Sequence, residues 1–218
     1  MWQAIYNSPL HHPLASWLAT AALGLWLWRR GQTLAPALRW FLALFCAEIA
    51  LDALWTGGWS PVPASHPLSQ PVAILFVILG DYRFFALGEL QRHPGARGWL
   101  QGLAWTMVVP VLHGLCIRTW PAVFADLRVV FLAYEVAQAA VVALWWQQRG
   151  QHLVGPQRQW LAAVTVFEVT QYILWASADV VILSGAEAGY GLRLVPNLMY
   201  YAGFLACVAY FAPRKEPA

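Results

Sequence analysis

The sequence predicts an all-α, polytopic membrane protein of seven transmembrane helices. Three observations predict it: the composition, the spacing of apolar runs and the sorting of basic residues. Of 218 residues, 60% are apolar and 11% charged, where a soluble domain carries about a quarter charged. Seven apolar runs fall near 13–29, 37–57, 70–90, 98–117, 121–147, 157–184 and 190–212, each close to the roughly 20 residues that span a bilayer. The third observation follows from the first two. With seven spans, Arg29, Arg30, Arg39, Arg92, Arg97, Arg149, Arg158, Arg214 and Lys215 lie on one side, against Arg118, Arg128 and Arg193 on the other. Basic loops stay in the cytoplasm, so the N-terminus is predicted outside and the C-terminus inside.

Taken in order, the first run ends at Arg29-Arg30-Gly31. The second carries Glu48 and Asp52 and stops at Gly57-Gly58. The third carries Asp81 and Arg83 and ends in the break from Arg92 to Gly98. His113 is the only histidine well inside a span, on the fourth. Glu135 and Gln138 lie on the fifth, which closes before Gly150 to Pro156. The sixth carries Glu168, Gln171 and Trp175, and the seventh Asn197 and Tyr200. Fourteen tryptophans suit interfacial belts, where the amphipathic ring sits at headgroup level. No basic stretch precedes the first run, so no cleavable signal peptide is expected. The whole chain, 1–218, reads as one transmembrane domain in a cell membrane, a bacterial inner membrane by this reading.

Self-comparison adds an internal repeat. Trp26-Leu27-Trp28-Arg29-Arg30-Gly31-Gln32 resembles Trp145-Trp146-Gln147-Gln148-Arg149-Gly150-Gln151. Both continue through Leu34 or Leu153, Pro36 or Pro156, Trp40 or Trp160, Glu48 or Glu168, and Trp55 or Trp175. This predicts two parallel three-helix repeats, about 13–90 and about 121–212, joined by a linker helix at about 98–117. Such a 3+1+3 plan is that of the small sugar transporters, with the binding site between the repeats near the midplane.

An ionisable side chain at the bilayer centre costs about 2.5–3.5 kcal/mol on insertion scales and marks a functional candidate. Four carboxylates fall near mid-span: Glu48, Asp81, Glu135 and Glu168. Asp52 lies one turn from Glu48 on the same face, and Gln138 and Gln171 lie one turn from Glu135 and Glu168. Arg83, the one basic residue near mid-span, cannot neutralise four acids, so part of the set is expected to hold protons. Proton-bearing acids beside ionised ones suit general acid–base chemistry or a proton relay. Hydrogen bonding between helices is the bland alternative, and Asp179 with Arg193 reads as an outer ion pair.

Other classes are excluded or left without support. Lys215 is the sole lysine and lies in the tail, so no retinal Schiff base forms within the bundle. Cys46, Cys116 and Cys207 lack Cys-x-x-Cys spacing and read as small apolar residues. Neither a Gly-x-Ser-x-Gly elbow nor a P-loop occurs. No metal and no cofactor is expected, and the dispersed basic residues offer nothing to nucleic acid.

Asp52-Ala53-Leu54 with Gly58-Trp59, followed by Asp81-Tyr82-Arg83-Phe84-Phe85, resembles the aspartate, Gly-x-Trp and acidic-Phe-Phe arrangement of small lycopene cyclases. With Glu48 on the second helix and Gly80-Asp81 on the third, the pattern is also similar to the membrane meroterpenoid cyclases. A rival resemblance is to lysoplasmalogenases, through Gly80-Asp81, Ser177-Ala178-Asp179 and Tyr200-Tyr201. The cyclase resemblance implies an enzyme acting on an apolar isoprenoid or lipid, with Glu48 and Asp81 as proton donor and charge stabiliser and Glu168 and Glu135 as partners. Trp55, Trp59, Trp175 and Tyr200 would offer aromatic faces to a carbocation, and Asp52, Arg83, Gln138, Gln171 and Asn197 would line the substrate. The alternatives are a proton-coupled transporter of two repeats, an ether-lipid hydrolase of the lysoplasmalogenase kind, and a membrane regulatory protein. The partners expected are the bilayer and an apolar small molecule.

Overall fold

The computed structural model describes residues 1–63 and 65–214. Every regular element among these residues is helical. They are α1 (Trp2–Tyr6), α2 (Ala15–Arg30), α3 (Pro36–Thr56), α4 (Ser69–Arg92), α5 (Ala96–Thr106), α6 (Val108–Thr119), α7 (Leu127–Gln148), α8 (Gly155–Leu183), α9 (Ala188–Leu198) and α10 (Phe204–Phe211). Five stretches are long and apolar enough to cross a membrane: Ser69–Arg92, Ala96–Thr119, Leu127–His152, Gly155–Leu183 and Ala188–Phe211. The chain is a multi-pass membrane protein. Two further helices, α2 and α3, coincide with the first two predicted spans. They differ from the five in being short, at 16 residues, or in carrying Arg39, Glu48 and Asp52 within 21 residues.

Local chemistry explains the ends and breaks. Pro36 opens α3 and Pro156 opens α8, each at a position where the missing N–H costs no bond. The fifth helix begins at Leu127 rather than 121, because Trp120–Asp126 forms a turn and the Asp126 side chain accepts the Arg128 N–H as an N-cap. Between α5 and α6 the helix is interrupted at Met107, three residues before Pro110, which has no N–H for the Thr106 carbonyl. Between α9 and α10, Met199–Gly203 forms a π-helical turn three residues after Pro196. Such widened turns free backbone groups for other partners and gather at functional sites.

The stretches matched in sequence also fold alike. Gly31–Thr33 and Gly150–His152 are both 3-10 turns closing α2 and α7. In each, the N–H of the following leucine returns to the glycine carbonyl: Leu34 to Gly31 at 2.9 Å and Leu153 to Gly150 at 3.1 Å.

The core lies where α3, α4, α7, α8 and α10 meet, around Phe41, Phe45, Phe84, Phe85, Leu161 and Phe204. At one end of it Trp145 is wholly buried and packs over Gly88, where an added Cβ would meet its ring at 2.3 Å. Its indole donates to Glu89 at 2.8 Å. Outward-facing leucines and valines on α6, α7 and α8 stay exposed, as a lipid-facing surface requires. The N-terminal α1 folds over α9: the Met1 ammonium donates to Glu187, and the Gly191 backbone lies against the Trp2 ring. That hydrogen bond holds the exposed Glu187 carboxyl below the usual range.

Candidate functional site

The centre of the bundle is built around a buried arginine. Arg83 on α4 is 1% exposed. Its Nε donates to the Gly80 carbonyl at 3.0 Å, and its Nη1 crosses to the Tyr200 carbonyl, in the π turn, at 3.2 Å. Its guanidinium stacks 4.3 Å from the Tyr200 ring and 5.5 Å from Phe204. Glu48, Asp52, Asp81 and Glu168 are all buried, and all lie within its electrostatic reach. Helices α3, α4 and α8 thus bring four acids to one cation, three of them (Glu48, Asp81 and Glu168) from the mid-span set, with Asp52 in the place expected for Glu135.

The acids are not equivalent. Asp81 accepts hydroxyl hydrogen bonds from both Tyr134 and Tyr172. Asp52 accepts from Thr56 at 2.8 Å, and the Tyr201 hydroxyl also reaches it. Thr56 in turn lies 2.9 Å from His12 Nε2, so a polar path runs from Asp52 toward the N-terminal end of the bundle. Glu48 is different: among the described residues neither carboxylate oxygen has a hydrogen-bond partner, and one oxygen of Glu168 is equally unpartnered. Gln138 and Gln171 are fully buried, with both amide atoms unpartnered. Leaving such groups unmatched in the dry interior costs about 1–3 kcal/mol each.

The contacts cross between the two halves in a patterned way. A shift of 120 residues carries Glu48 to Glu168, Asp52 to Tyr172 and Asp81 to Tyr201. The pair Asp52–Tyr201 therefore corresponds to the pair Tyr172–Asp81, with donor and acceptor exchanged between halves.

The remaining candidates separate. Glu135 lies outside the Arg83 group: it pairs with Arg193 at 3.1 Å, and Arg193 also donates to Asp179, which holds Arg128 at 3.3 Å. Tyr6 completes this second cluster, its hydroxyl accepting from Arg193 Nε at 3.2 Å. Asn197 accepts from the Trp175 indole at 2.6 Å and contacts His11 at 3.2 Å. Trp175 also packs against Tyr172 and Tyr200, with ring centres 5.5 and 5.4 Å away. Trp55 is half-buried, and its buried indole nitrogen has no partner. Trp59 is 51% exposed and packs at a tilt against Trp17, with ring centres 5.8 Å apart.

Sequence reasoning passed over Tyr134 and Tyr172, whose hydroxyls address Asp81, and Glu89, which holds Trp145, and it named Tyr201 only within a motif and not as a partner of Asp52. The 120-residue register could have pointed to two of the tyrosines, since it aligns them with Asp52 and Asp81. Gly80 has a role only the coordinates reveal: an added Cβ would sit 1.5 Å from the Tyr200 hydroxyl. Gly80→Ala is therefore expected to push Tyr200 off Arg83 and lower stability by about 1–3 kcal/mol, as overpacked cores do. A thermal melt in detergent checks it; an unchanged melting temperature would show that Tyr200 moves freely.

No family model and no solved structure matches the chain. Among curated proteins, the glycerol-3-phosphate acyltransferase of Methylobacillus flagellatus is 26% identical over 140 residues, which cover 62% of this chain and 67% of that protein.

Proposed function

We propose that the chain is an integral membrane enzyme acting on an apolar isoprenoid or lipid substrate by carboxylate acid–base chemistry at the Arg83 cluster. One observation carries this reading. The acids that hold the bundle together are partnered: Asp81 by two tyrosines, Asp52 by Thr56, Asp179 by two arginines and Glu89 by Trp145. Glu48 is buried in the same region without a hydrogen bond, which suits a group whose partner is the substrate. In this reading Glu48 is the proton donor, Asp81 stabilises developing positive charge, and Trp175 and Tyr200 present aromatic faces to it. A dry site suits carbocation chemistry, because water would quench the intermediate. The similarity to a protein named as an acyltransferase supports an enzyme of lipids over a regulatory protein. Glu48→Gln tests the reading: purified protein in lipid nanodiscs is offered isoprenoid and acyl-lipid panels, and products are followed by mass spectrometry.

A second reading, a proton-coupled transporter of two parallel three-helix repeats, is favoured by the exchanged Asp52–Tyr201 and Tyr172–Asp81 contacts and by the path His12–Thr56–Asp52. It predicts that Glu48→Gln abolishes coupled uptake while substrate exchange survives.

Both readings use seven spans, with the N-terminus outside and α2 and α3 as the first two. Single cysteines at Ser65 and Gln148, both exposed loop or helix-end positions, are placed in a background lacking Cys46, Cys116 and Cys207. An impermeant thiol reagent on intact cells is expected to label Ser65→Cys and spare Gln148→Cys. Equal or reversed labelling would overturn this topology.

A further inference from the structure

A second cavity lies away from the Arg83 cluster. It is a groove of about 1240 Å³ between α2 and α10. Its walls are apolar along most of their length, with Ala22, Trp26 and Ala206 among the lining residues. Its mouth carries Arg29 and Arg214, the latter bonded to Thr33 at 3.4 Å and lying 5.8 Å over the Trp26 ring. The corresponding seam in the other half is shut. There Trp145, the counterpart of Trp26, fills the space over Gly88 and is fixed by Glu89. At the α2–α10 side the equivalent positions are Val208 and Ala209, which have a Cβ where Gly88 has none and no carboxylate to hold an indole.

We infer that this groove binds one anionic phospholipid of the bilayer, its acyl chain lying between α2 and α10 and its phosphate held between Arg29 and Arg214. The charge pattern selects this occupant. An apolar groove takes a hydrocarbon chain, while two guanidiniums at its mouth match a phosphate, which arginine binds through paired donors. A zwitterionic headgroup such as choline carries the same phosphate but adds a quaternary ammonium, which the two guanidiniums repel. The inference does not depend on the chemistry proposed for Glu48.

Native mass spectrometry of the delipidated protein, titrated with phosphatidylglycerol or phosphatidylcholine of identical chains, tests it. Wild type is expected to retain one phosphatidylglycerol at concentrations where phosphatidylcholine is lost. A basic residue near anionic lipid contributes about 1 kcal/mol, or about fivefold. Arg29→Gln with Arg214→Gln should therefore weaken phosphatidylglycerol binding by about thirtyfold, and Arg158→Gln, the same charge change on an exposed residue outside the groove, should leave it unchanged. Ala206→Phe, at an exposed lining position, should remove binding of both lipids by filling the channel. Equal affinity for the two lipids, an Arg158→Gln loss matching the double variant, or undiminished binding in Ala206→Phe would each overturn the site. A folded variant is recognised by its unchanged melting temperature. If the double variant melts early, the single variants decide in its place.

Discussion

Replacing Arg83 with methionine is expected to destabilise the protein by about 3–5 kcal/mol, the cost of removing one partner from a buried ionic group. Methionine keeps most of the volume, so the loss is electrostatic rather than a cavity. Three consequences add together. The Tyr200 carbonyl, in the π turn, loses the Arg83 donor. The rings of Tyr200 and Phe204 lose the cation stacked on them. Glu48, Asp52, Asp81 and Glu168 lose the positive charge they share. Arg83→Lys restores a point charge but not the fork that bonds Gly80 and Tyr200 together, so it should recover only part of the stability. Unfolding in a graded series of detergent mixtures measures both. If Arg83→Met unfolds like wild type, the four acids are held by something other than this arginine, and the cluster loses its organising element.

The helices were legible because lipid imposes a length and a composition on each, and those constraints act locally. The stretch from 70 to 90 differs from α4 by one or two residues at each end, and 157–184 is similarly close to α8. The start at 121 misses α7 by six residues because the apolar run continues through Val123 and Phe124 up to the cap at Asp126, and hydropathy does not register a cap. The meeting of Glu48, Asp81, Glu168 and Arg83 was also legible, since acids in an apolar helix have few places to go except toward one another. Glu135 shows the limit of that argument. Its depth along α7 resembles that of the central acids along their own helices, but its partner Arg193 comes from α9, and nothing in either local sequence announces that pairing. The tyrosines were missed for a related reason: in a membrane protein rich in aromatics, a hydroxyl that bonds a carboxylate and one that faces a headgroup look the same in one dimension. The groove between α2 and α10 depends on what fails to fill it, which only coordinates show.

Glu48→Gln and Asp81→Asn are each the smallest change that removes a carboxyl's transferable proton and charge, and the structure predicts that they behave differently. Glu48 makes no hydrogen bond among the described residues, so its amide variant has none of these to lose and should melt close to wild type. If it donates the proton, turnover of the isoprenoid or lipid substrate should fall by about 10²–10⁴-fold, the usual share of general acid–base catalysis. Asp81 accepts from two tyrosines, and the asparagine that replaces it offers one acceptor oxygen in place of two. Its variant should therefore lose about 1–3 kcal/mol of stability together with activity. The pair separates the roles. A loss of turnover in Glu48→Gln at unchanged melting temperature assigns chemistry to that carboxyl, because the melting temperature shows that its electrostatic contact with Arg83 does not hold the fold. Loss of stability without loss of turnover in Asp81→Asn would reduce Asp81 to a brace for Tyr134 and Tyr172. Full turnover in Glu48→Gln would remove the proton donor from the mechanism, and the crossed aspartate–tyrosine contacts would then favour the transporter.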